Sequence, residues 1–238
     1  MATLQSRSVR RREDVRLLTG KGNYSADPQP TGMLHAVLVR AHHAHAAIGG
    51  IDVGAARAMP GVVAVFTAAD LTDVAPIPGG IGFPRPDGGP APKTDRPLLA
   101  ADRVRFVGEP VAVVLSETLD AGKDAAEAVT VDYRELPLVT DAVAALEPKS
   151  PKVWDDVPDN IGFLWKRGDQ AATDAALRSA AHVARLEFTV SRVTANTMEP
   201  RAAWADVGPD GRMVIQAAHQ SPYNLRNGMA NGNFNIKP

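Results

Sequence analysis

A stretch rich in proline and glycine, residues 75–97, is the feature that most constrains how this chain can fold. It contains seven prolines and five glycines. Proline lacks the N–H that strands and helices use, and glycine weakens the interior of both, so we predict one long irregular loop. Loops of this length inside compact domains are usually functional, interfacial or mobile. The regular elements must therefore lie before and after it.

Short apolar segments and alanine-rich segments on both sides of this loop predict strands that alternate with helices. Strands are predicted at 33–40, 62–67, 104–106, 111–115 and 130–133, and helices at 52–59 and 119–129. The run VVAVFT at 62–67 is apolar throughout, which suits a strand buried on both faces. This order of elements predicts a compact α+β or α/β unit over residues 18–145.

A second unit is predicted after a proline-containing segment at 147–159. Its elements are a helix at 169–181 with Asp169 as N-cap, a strand at 182–190, a hairpin of 201–207 with 213–218, and a helix from Ser221-Pro222 toward Gly228. A helix that follows a strand normally leads to a further strand that covers its apolar side, and none is present. We therefore expect this second unit to be unfinished.

Composition excludes several classes of protein. The chain has no cysteine, which removes disulfides, thiolate metal sites and iron-sulfur ligation. The net charge of -1 gives no reason to expect nucleic acid or an acidic membrane as a partner. Acidic residues interrupt the arginines near the start, and no apolar segment of export or membrane length follows them. The sequence thus predicts a cytoplasmic protein with no nucleic-acid or membrane partner.

Two constellations permit a chemical and a structural interpretation. The histidines His35, His42, His43 and His45 lie close enough in sequence for a metal site, but no carboxylate cluster completes it, and isolated histidines more often pack or cap. Glu109, in a Gly-Glu-Pro turn, has the chemistry of an acid/base catalyst, although carboxylates in such turns more often accept bonds from backbone N–H groups. The structural interpretation is the stronger for both, so no catalytic or metal-binding residue is assigned.

A series of short motifs carries a resemblance to a known family. They are RED…RL…TGKG…Y…D at 12–27, HAHA at 43–46, PGVVAV at 60–65, RFVGEPVA at 105–112 and VDYRELP at 131–137. In this order and spacing they resemble the a/b hammerhead domain of aldehyde oxidases and xanthine dehydrogenases. That domain opens the large subunit of molybdenum hydroxylases, a group that includes the aerobic carbon monoxide dehydrogenases.

The resemblance also implies a domain map. MEPRAA at 198–203 and QSP at 220–222 look like the beginning of the family's molybdopterin-binding domain. We expect an N-terminal arm at 1–17, the hammerhead domain at 18–146, a linker at 147–160 and the truncated start of an α/β molybdopterin-binding domain at 161–238. The fold class is therefore α+β for the first domain, followed by an incomplete α/β domain.

For function, the resemblance implies an oxidoreductase that places an oxygen atom from water on an aldehyde, on an N-heterocycle or on carbon monoxide. The implied cofactor is molybdenum-molybdopterin, in its cytosine dinucleotide form, and the implied partners are iron-sulfur and FAD subunits of a heterotrimer that dimerises. The family's catalytic glutamate and glycine-rich cofactor loop lie downstream of these residues. We therefore expect the 238 residues alone to retain no cofactor and to be inactive. The alternative is a non-catalytic module that docks partner subunits.

Gln220 is the one cofactor-binding residue that the resemblance assigns. In relatives, the glutamine before such a helix hydrogen-bonds the oxo group of the metal centre. A side-chain amide at a strand-to-helix junction can donate to a metal-bound oxygen without itself titrating. His219 stands where relatives commonly have a small hydroxyl residue, and this departure leaves Gln216 as an alternative match.

Overall fold

The computed structural model describes residues 10–79, 82–191 and 193–236. Contacts divide the chain into two compact units, of which the first contains Met1–Thr31 with Phe188–Pro222 and the second contains Gly32–Glu187 with Tyr223–Pro238. Within the described residues, every buried hydrophobic side chain belongs to the second unit. No helix in this described part is both long enough and apolar enough to cross a membrane.

The regular elements alternate between helix and strand, as the sequence predicts for an α+β fold. The helices are α1 (Asp14–Leu18), α2 (Gly54–Arg57), α3 (Leu119–Glu127), α4 (Gln170–Ser179) and α5 (Pro222–Asn227), and α5 continues as a π-helical segment, Gly228–Phe234. The strands are β1 (His35–Arg40), β2 (Ala46–Asp52), β3 (Val62–Thr67), β4 (Arg103–Val104), β5 (Pro110–Ser116), β6 (Thr130–Glu135), β7 (Ala203–Val207) and β8 (Met213–Ala217).

Two antiparallel three-stranded sheets build the larger unit. In the first sheet β5 lies between β1 and β3, and in the second β2 lies between β4 and β6. β5 is the most buried of the strands, and its Val111, Ala112 and Val114 are fully inaccessible. One buried cluster surrounds Val111 and Val104, and a second joins Val114 to β3, α2 and α3.

Most of the predicted elements are confirmed, and their ends follow from local chemistry. β3 has the predicted bounds. Asp169 caps α4 by accepting a bond from the N–H of Ala172 at 2.9 Å, and Thr118 caps α3 through the N–H of Ala121 at 3.2 Å. The predicted helix at 52–59 is reduced to four residues, because Asp52 instead accepts the N–H of Gly54 in a turn before the helix.

Two sequence predictions about strands differ from the structure. β2 was not predicted because two glycines interrupt its apolar pattern. A Cβ at Gly49 would come within 2.3 Å of the exposed Asp132 carboxylate on β6, so a larger residue there would require that side chain to move. The predicted strand at 182–190 is wrong: its described residues form no ladder, and Leu186, Phe188 and Val190 are 82%, 73% and 79% exposed. Alternating side chains alone make no strand without a neighbouring backbone to bond.

The proline- and glycine-rich loop is irregular, as predicted, but it is fixed at its base and side. Ile77 and Arg96 exchange two backbone hydrogen bonds, of 2.8 and 2.9 Å. Farther along the loop, the Arg85 guanidinium donates two bonds to the Asp159 carboxylate, at 2.8 and 2.9 Å. Residues 80 and 81 lie outside the described part of the loop.

The segment predicted as a linker packs against the second sheet. Val157 is buried, Asp155 accepts a 3.1 Å bond from Arg103, and the Arg105 guanidinium lies 4.0 Å from the centre of the Trp154 ring. This ion pair lowers the pKa of Asp155 below its ordinary value, because the Arg103 guanidinium bonds the charged carboxylate.

Candidate functional site

The predicted hairpin that precedes Gln220 is present. β7 and β8 pair antiparallel, with Ala203 opposite Ala217 and Val207 opposite Met213. The turn between them closes with a 2.8 Å bond from the N–H of Gly208 to the carbonyl of Arg212. Gly211 adopts φ 76°, a left-handed conformation that glycine reaches without steric cost. The hairpin ends three residues before Gln220.

Gln220 lies in the short segment between β8 and α5. Its side chain is exposed, and its amide takes part in no hydrogen bond to another residue of the described chain. The preceding His219 turns back, so that its Nδ1 accepts the N–H of Ser221 at 3.0 Å. α5 begins at Pro222, where the sequence predicts a helix start. The Gln220 side chain thus offers two amide donors and a carbonyl oxygen for a ligand.

Gln216, the alternative match, has different surroundings. It lies within β8 directly opposite Trp204 of β7, and both side chains are partly buried on the same face of the hairpin. The Trp204 indole Nε1 is buried and has no hydrogen-bond partner in the described structure. A glutamine held within a strand is less available to an external ligand than Gln220, which supports the assignment of Gln220.

The structure adds a contact that sequence reasoning missed. The backbone N–H and the hydroxyl of Ser25 both donate to one carboxylate oxygen of Glu199, at 3.1 and 3.2 Å. Both residues belong to the smaller unit, and Ser25 is its one buried residue among those described. Glu199 is part of the MEPR motif that carries the resemblance, and Ser25 follows the motif tyrosine, Tyr24. No spacing rule connects them, because 174 positions separate them.

Glu109 has a structural role in its turn. Its side chain is 5% exposed, and its Oε2 accepts the N–H of Arg105 at 2.6 Å. The neighbouring Gly108 adopts φ 93°, and its carbonyl accepts a 2.8 Å bond from Arg40. The carboxylate therefore accepts a hydrogen bond from a backbone N–H in the turn before β5, as the structural interpretation of the sequence expects.

The four histidines lie apart from any common centre. His42 and His43 have ring centroids 4.4 Å apart and pack on Tyr133, whose pKa is raised by burial. His43 approaches Glu135 at 3.6 Å, whereas the Nδ1 of the buried His45 lies 2.7 Å from the carbonyl oxygen of Pro137. Within the described residues, no group of three or more metal-binding side chains is placed to hold an ion.

Comparisons with known families match both halves of the chain. Residues 19–137 match the a/b hammerhead domain of aldehyde oxidase and xanthine dehydrogenase, and residues 153–237 match a molybdopterin cofactor-binding domain. The carbon monoxide dehydrogenase large chain of Afipia carboxidovorans is 34% identical over 91% of this chain and 27% of its own length. The nicotine 6-hydroxylase large subunit of Paenarthrobacter nicotinovorans is 37% identical over 92% of this chain and 26% of its own.

Solved structures agree with these matches. Quinoline 2-oxidoreductase from Pseudomonas putida superimposes with a TM-score of 0.79 at 38% identity, over 94% of this chain and 28% of its own. The Cu,Mo carbon monoxide dehydrogenase superimposes with a TM-score of 0.76 at 32% identity, over 94% and 29%. This chain spans about a quarter of the length of the relatives it matches. It belongs to the aldehyde oxidase and xanthine dehydrogenase family and carries that family's hammerhead domain followed by part of a molybdopterin cofactor-binding domain.

Proposed function

We propose that this chain acts as the N-terminal part of the molybdenum-binding large subunit of a hydroxylase. The observation that carries the proposal is the order of the two matched domains, which is supported by relatives named as large subunits of such enzymes. The reaction class is oxidation of an aldehyde, an N-heterocycle or carbon monoxide, with water as the source of oxygen. When bound, the molybdenum-molybdopterin cofactor supplies the two-electron chemistry, and the protein positions and tunes it.

Within this proposal, Gln220 binds the cofactor. Its side-chain amide is exposed and carries no hydrogen bond to the described residues, so its donors are free for an oxygen atom of the bound group. An amide keeps this donor at every pH at which the protein is folded, because it does not titrate. The cytosine dinucleotide form of the cofactor belongs to the same proposal.

The partner subunits and the compartment that we propose for the chain follow from its family. We assign it iron-sulfur and FAD subunits as partners in a dimerising heterotrimer, and the cytoplasm as its compartment, which the absence of cysteine permits. We keep 18–146 as the hammerhead domain, 147–160 as its connection and 161–238 as the start of the cofactor domain. The alternative, a docking module without catalysis, is favoured by the location of all buried hydrophobic residues in the larger unit.

A chimera tests the cofactor proposal. The 238 residues of this chain replace the corresponding quarter of the large chain of carbon monoxide dehydrogenase from Afipia carboxidovorans, co-produced with its partner subunits. We expect the purified chimera to contain molybdenum and pterin, measured by mass spectrometry and by fluorescence of the oxidised pterin. We expect the variant Gln220→Ala to contain less of both, by no more than about tenfold, because one hydrogen bond contributes about 0.5–1.5 kcal/mol.

The matched control is Gln216→Ala, which removes the alternative glutamine and which we expect to keep the metal content of the chimera. Loss of molybdenum in Gln216→Ala but not in Gln220→Ala would transfer the role to Gln216. A folded chimera that assembles with its partners without molybdenum in any variant would favour the docking module.

A further inference from the structure

Residues 182–190, which we call the unpaired segment, have no partner within the described part of the chain. All of these residues are exposed, and none of their backbone N–H or C=O groups bonds another described residue. Leu186, Phe188 and Val190 are 82%, 73% and 79% exposed. Contiguous apolar surface that is exposed in this way often marks a site of protein interaction. The proposed function does not use this surface.

The composition of the unpaired segment suits a β-strand. It contains neither proline nor glycine, and it is rich in the branched and aromatic residues that strands favour, namely Val183, Phe188, Thr189 and Val190. Its apolar positions alternate with polar ones, which gives a strand two different faces. A strand forms only beside a second backbone that bonds its N–H and C=O groups. The segment therefore lacks only a neighbouring strand.

Two opposite charges make the unpaired segment complementary to a second copy of itself. Arg185 and Glu187 flank Leu186 in the sequence. In an antiparallel pair with Leu186 opposite its own counterpart, Arg185 of each copy faces Glu187 of the other, because a twofold axis exchanges the two positions. The same register places Ala184 opposite Phe188 on the apolar face. Opposite charges that face each other directly across two strands stabilise the pair.

Other registers of the same segment lack this complementarity. If the twofold axis moves by one residue, either Arg185 faces Arg185 or Glu187 faces Glu187. If the axis lies between two residues, Leu186 faces a charged side chain. A parallel pair in register also places like charges side by side. Like charges directly opposite each other destabilise a pair of strands, so the charges select one antiparallel register.

The edge of β3 shows a contrasting arrangement. This strand lies at the edge of its described sheet, yet side chains already bond two of its backbone groups. The Arg57 guanidinium donates to the Val65 carbonyl at 2.8 Å, and the Thr67 N–H donates to the Asp70 carboxylate at 2.7 Å. Side chains that occupy an edge in this way hinder the addition of another strand. In the described structure no side chain bonds the backbone of the unpaired segment, which leaves it open to a second strand.

We propose that two copies of this chain associate through the unpaired segment, as an antiparallel pair of strands centred on Leu186. Main-chain hydrogen bonds supply the affinity, as in other strand additions, and the Arg185–Glu187 pairs set the register. A single strand buries less than the about 800 Å² per partner of a standard interface, so the dimer is weak and depends on concentration. The pairing requires no molybdenum, so it can fail separately from the proposed function.

Crosslinking through single cysteines tests the register, because the 238-residue chain contains no cysteine of its own. Leu186→Cys places two thiols directly opposite each other, at a Cα separation of about 4.5–5.5 Å that a disulfide spans. We expect this variant to form a covalent dimer under mild oxidation by glutathione disulfide, measured on a non-reducing gel. Thr189→Cys is the matched control, since its thiol is equally exposed but lies about 20 Å from its counterpart. No dimer of Leu186→Cys, or as much dimer of Thr189→Cys, would overturn the proposal.

Reversal of the charges tests the complementarity, with sedimentation velocity at increasing concentration as the readout. Arg185→Glu and Glu187→Arg should each weaken dimerisation at least about fourfold, because both symmetric pairs then carry like charges. The double variant should dimerise like the unaltered chain, and an equimolar mixture of the two single variants should form heterodimers. An unaltered chain that stays monomeric, single variants that dimerise normally, or a mixture that recovers no dimer would each contradict the proposal.

Discussion

Ser25 and Glu199 form a contact between two segments of the smaller unit that are 174 positions apart in sequence. The N–H and the hydroxyl of Ser25 donate to the same carboxylate oxygen of Glu199. Hydrogen bonds to charged groups contribute about 1.5–3 kcal/mol each to stability. We predict that Glu199→Gln, which keeps the shape but removes the charge, accelerates amide hydrogen exchange of Ser25. Hydrogen exchange followed by NMR measures this directly.

A double-mutant cycle separates this contact from other effects of the substitutions. Ser25→Ala removes the hydroxyl and leaves the backbone bond, so the effects of Ser25→Ala and Glu199→Gln on exchange should be less than additive. Exposed Glu187, outside this contact, supplies the matched control Glu187→Gln. Additive effects, or equal acceleration in the control, would show that the contact does not hold Ser25.

Glu109 gives a second prediction at the scale of a single residue. Its buried carboxylate satisfies the N–H of Arg105, and an unsatisfied buried donor costs about 1–3 kcal/mol. Glu109→Ala should therefore lower the free energy of unfolding by about that amount, and Glu109→Gln, which keeps an acceptor oxygen, should lower it less. Urea denaturation compares the two variants. Equal losses of unfolding free energy in the two variants would mean that Glu109 does not stabilise the fold through its bond to the Arg105 N–H.

At the scale of elements, the ion pair of Arg85 with Asp159 is one of the contacts that fix the proline- and glycine-rich loop. Bonding to the Arg85 guanidinium holds the pKa of Asp159 below its ordinary value. A carboxyl with a lowered folded-state pKa stabilises the fold above its ordinary pKa of about 3.9, and the contribution is lost as pH falls through the lowered value. We predict that Asp159→Asn lowers the Tm by a constant amount from about pH 5 to 8.

As the pH falls below about 4 and through the lowered pKa of Asp159, the difference in Tm between Asp159→Asn and the unaltered chain should shrink, because the unaltered side chain then becomes protonated as well. Asp156→Asn is the control, since this neighbouring exposed carboxylate forms no ion pair with the described residues. It should leave the Tm almost unchanged at each pH. A difference for Asp159→Asn that persists undiminished at low pH would exclude the ion pair as its cause.

The elements that could be predicted from the sequence are those set by local chemistry. The apolar run of β3, the cap at Asp169 and the turn at Gly208–Gly211 each depend on neighbours within a few residues, and all three are confirmed. β2 depends on its pairing with β4 and β6, which are distant in sequence, and residues 182–190 have no neighbouring strand to pair with. The proposed role of Gln220 rests on the family resemblance, because a single glutamine forms no sequence pattern that identifies it as a cofactor-binding residue.

At the scale of the whole molecule, apolar burial is distributed unequally between the two units. The larger unit contains two buried clusters, built on the strands around β5 and β2. In the described residues of the smaller unit no hydrophobic side chain is buried, and Phe188, Val190 and Val193 are 73%, 79% and 80% exposed. Burial contributes about 25 cal/mol per Å² of apolar surface, so this contribution is largely missing from the smaller unit.

We therefore predict that the two units differ in local stability when the 238-residue chain is studied alone. Backbone amides of β7 and β8 should exchange by low-energy local opening, whereas amides of β5 should exchange only when the larger unit unfolds. Hydrogen exchange with mass spectrometry, with urea added in steps below the unfolding midpoint, measures both. Exchange in β5 should accelerate with urea, and exchange in β7 and β8 should barely change, because local opening exposes little new surface. Equal protection and equal urea dependence in the two units would mean that the smaller unit has a stabilising core of its own.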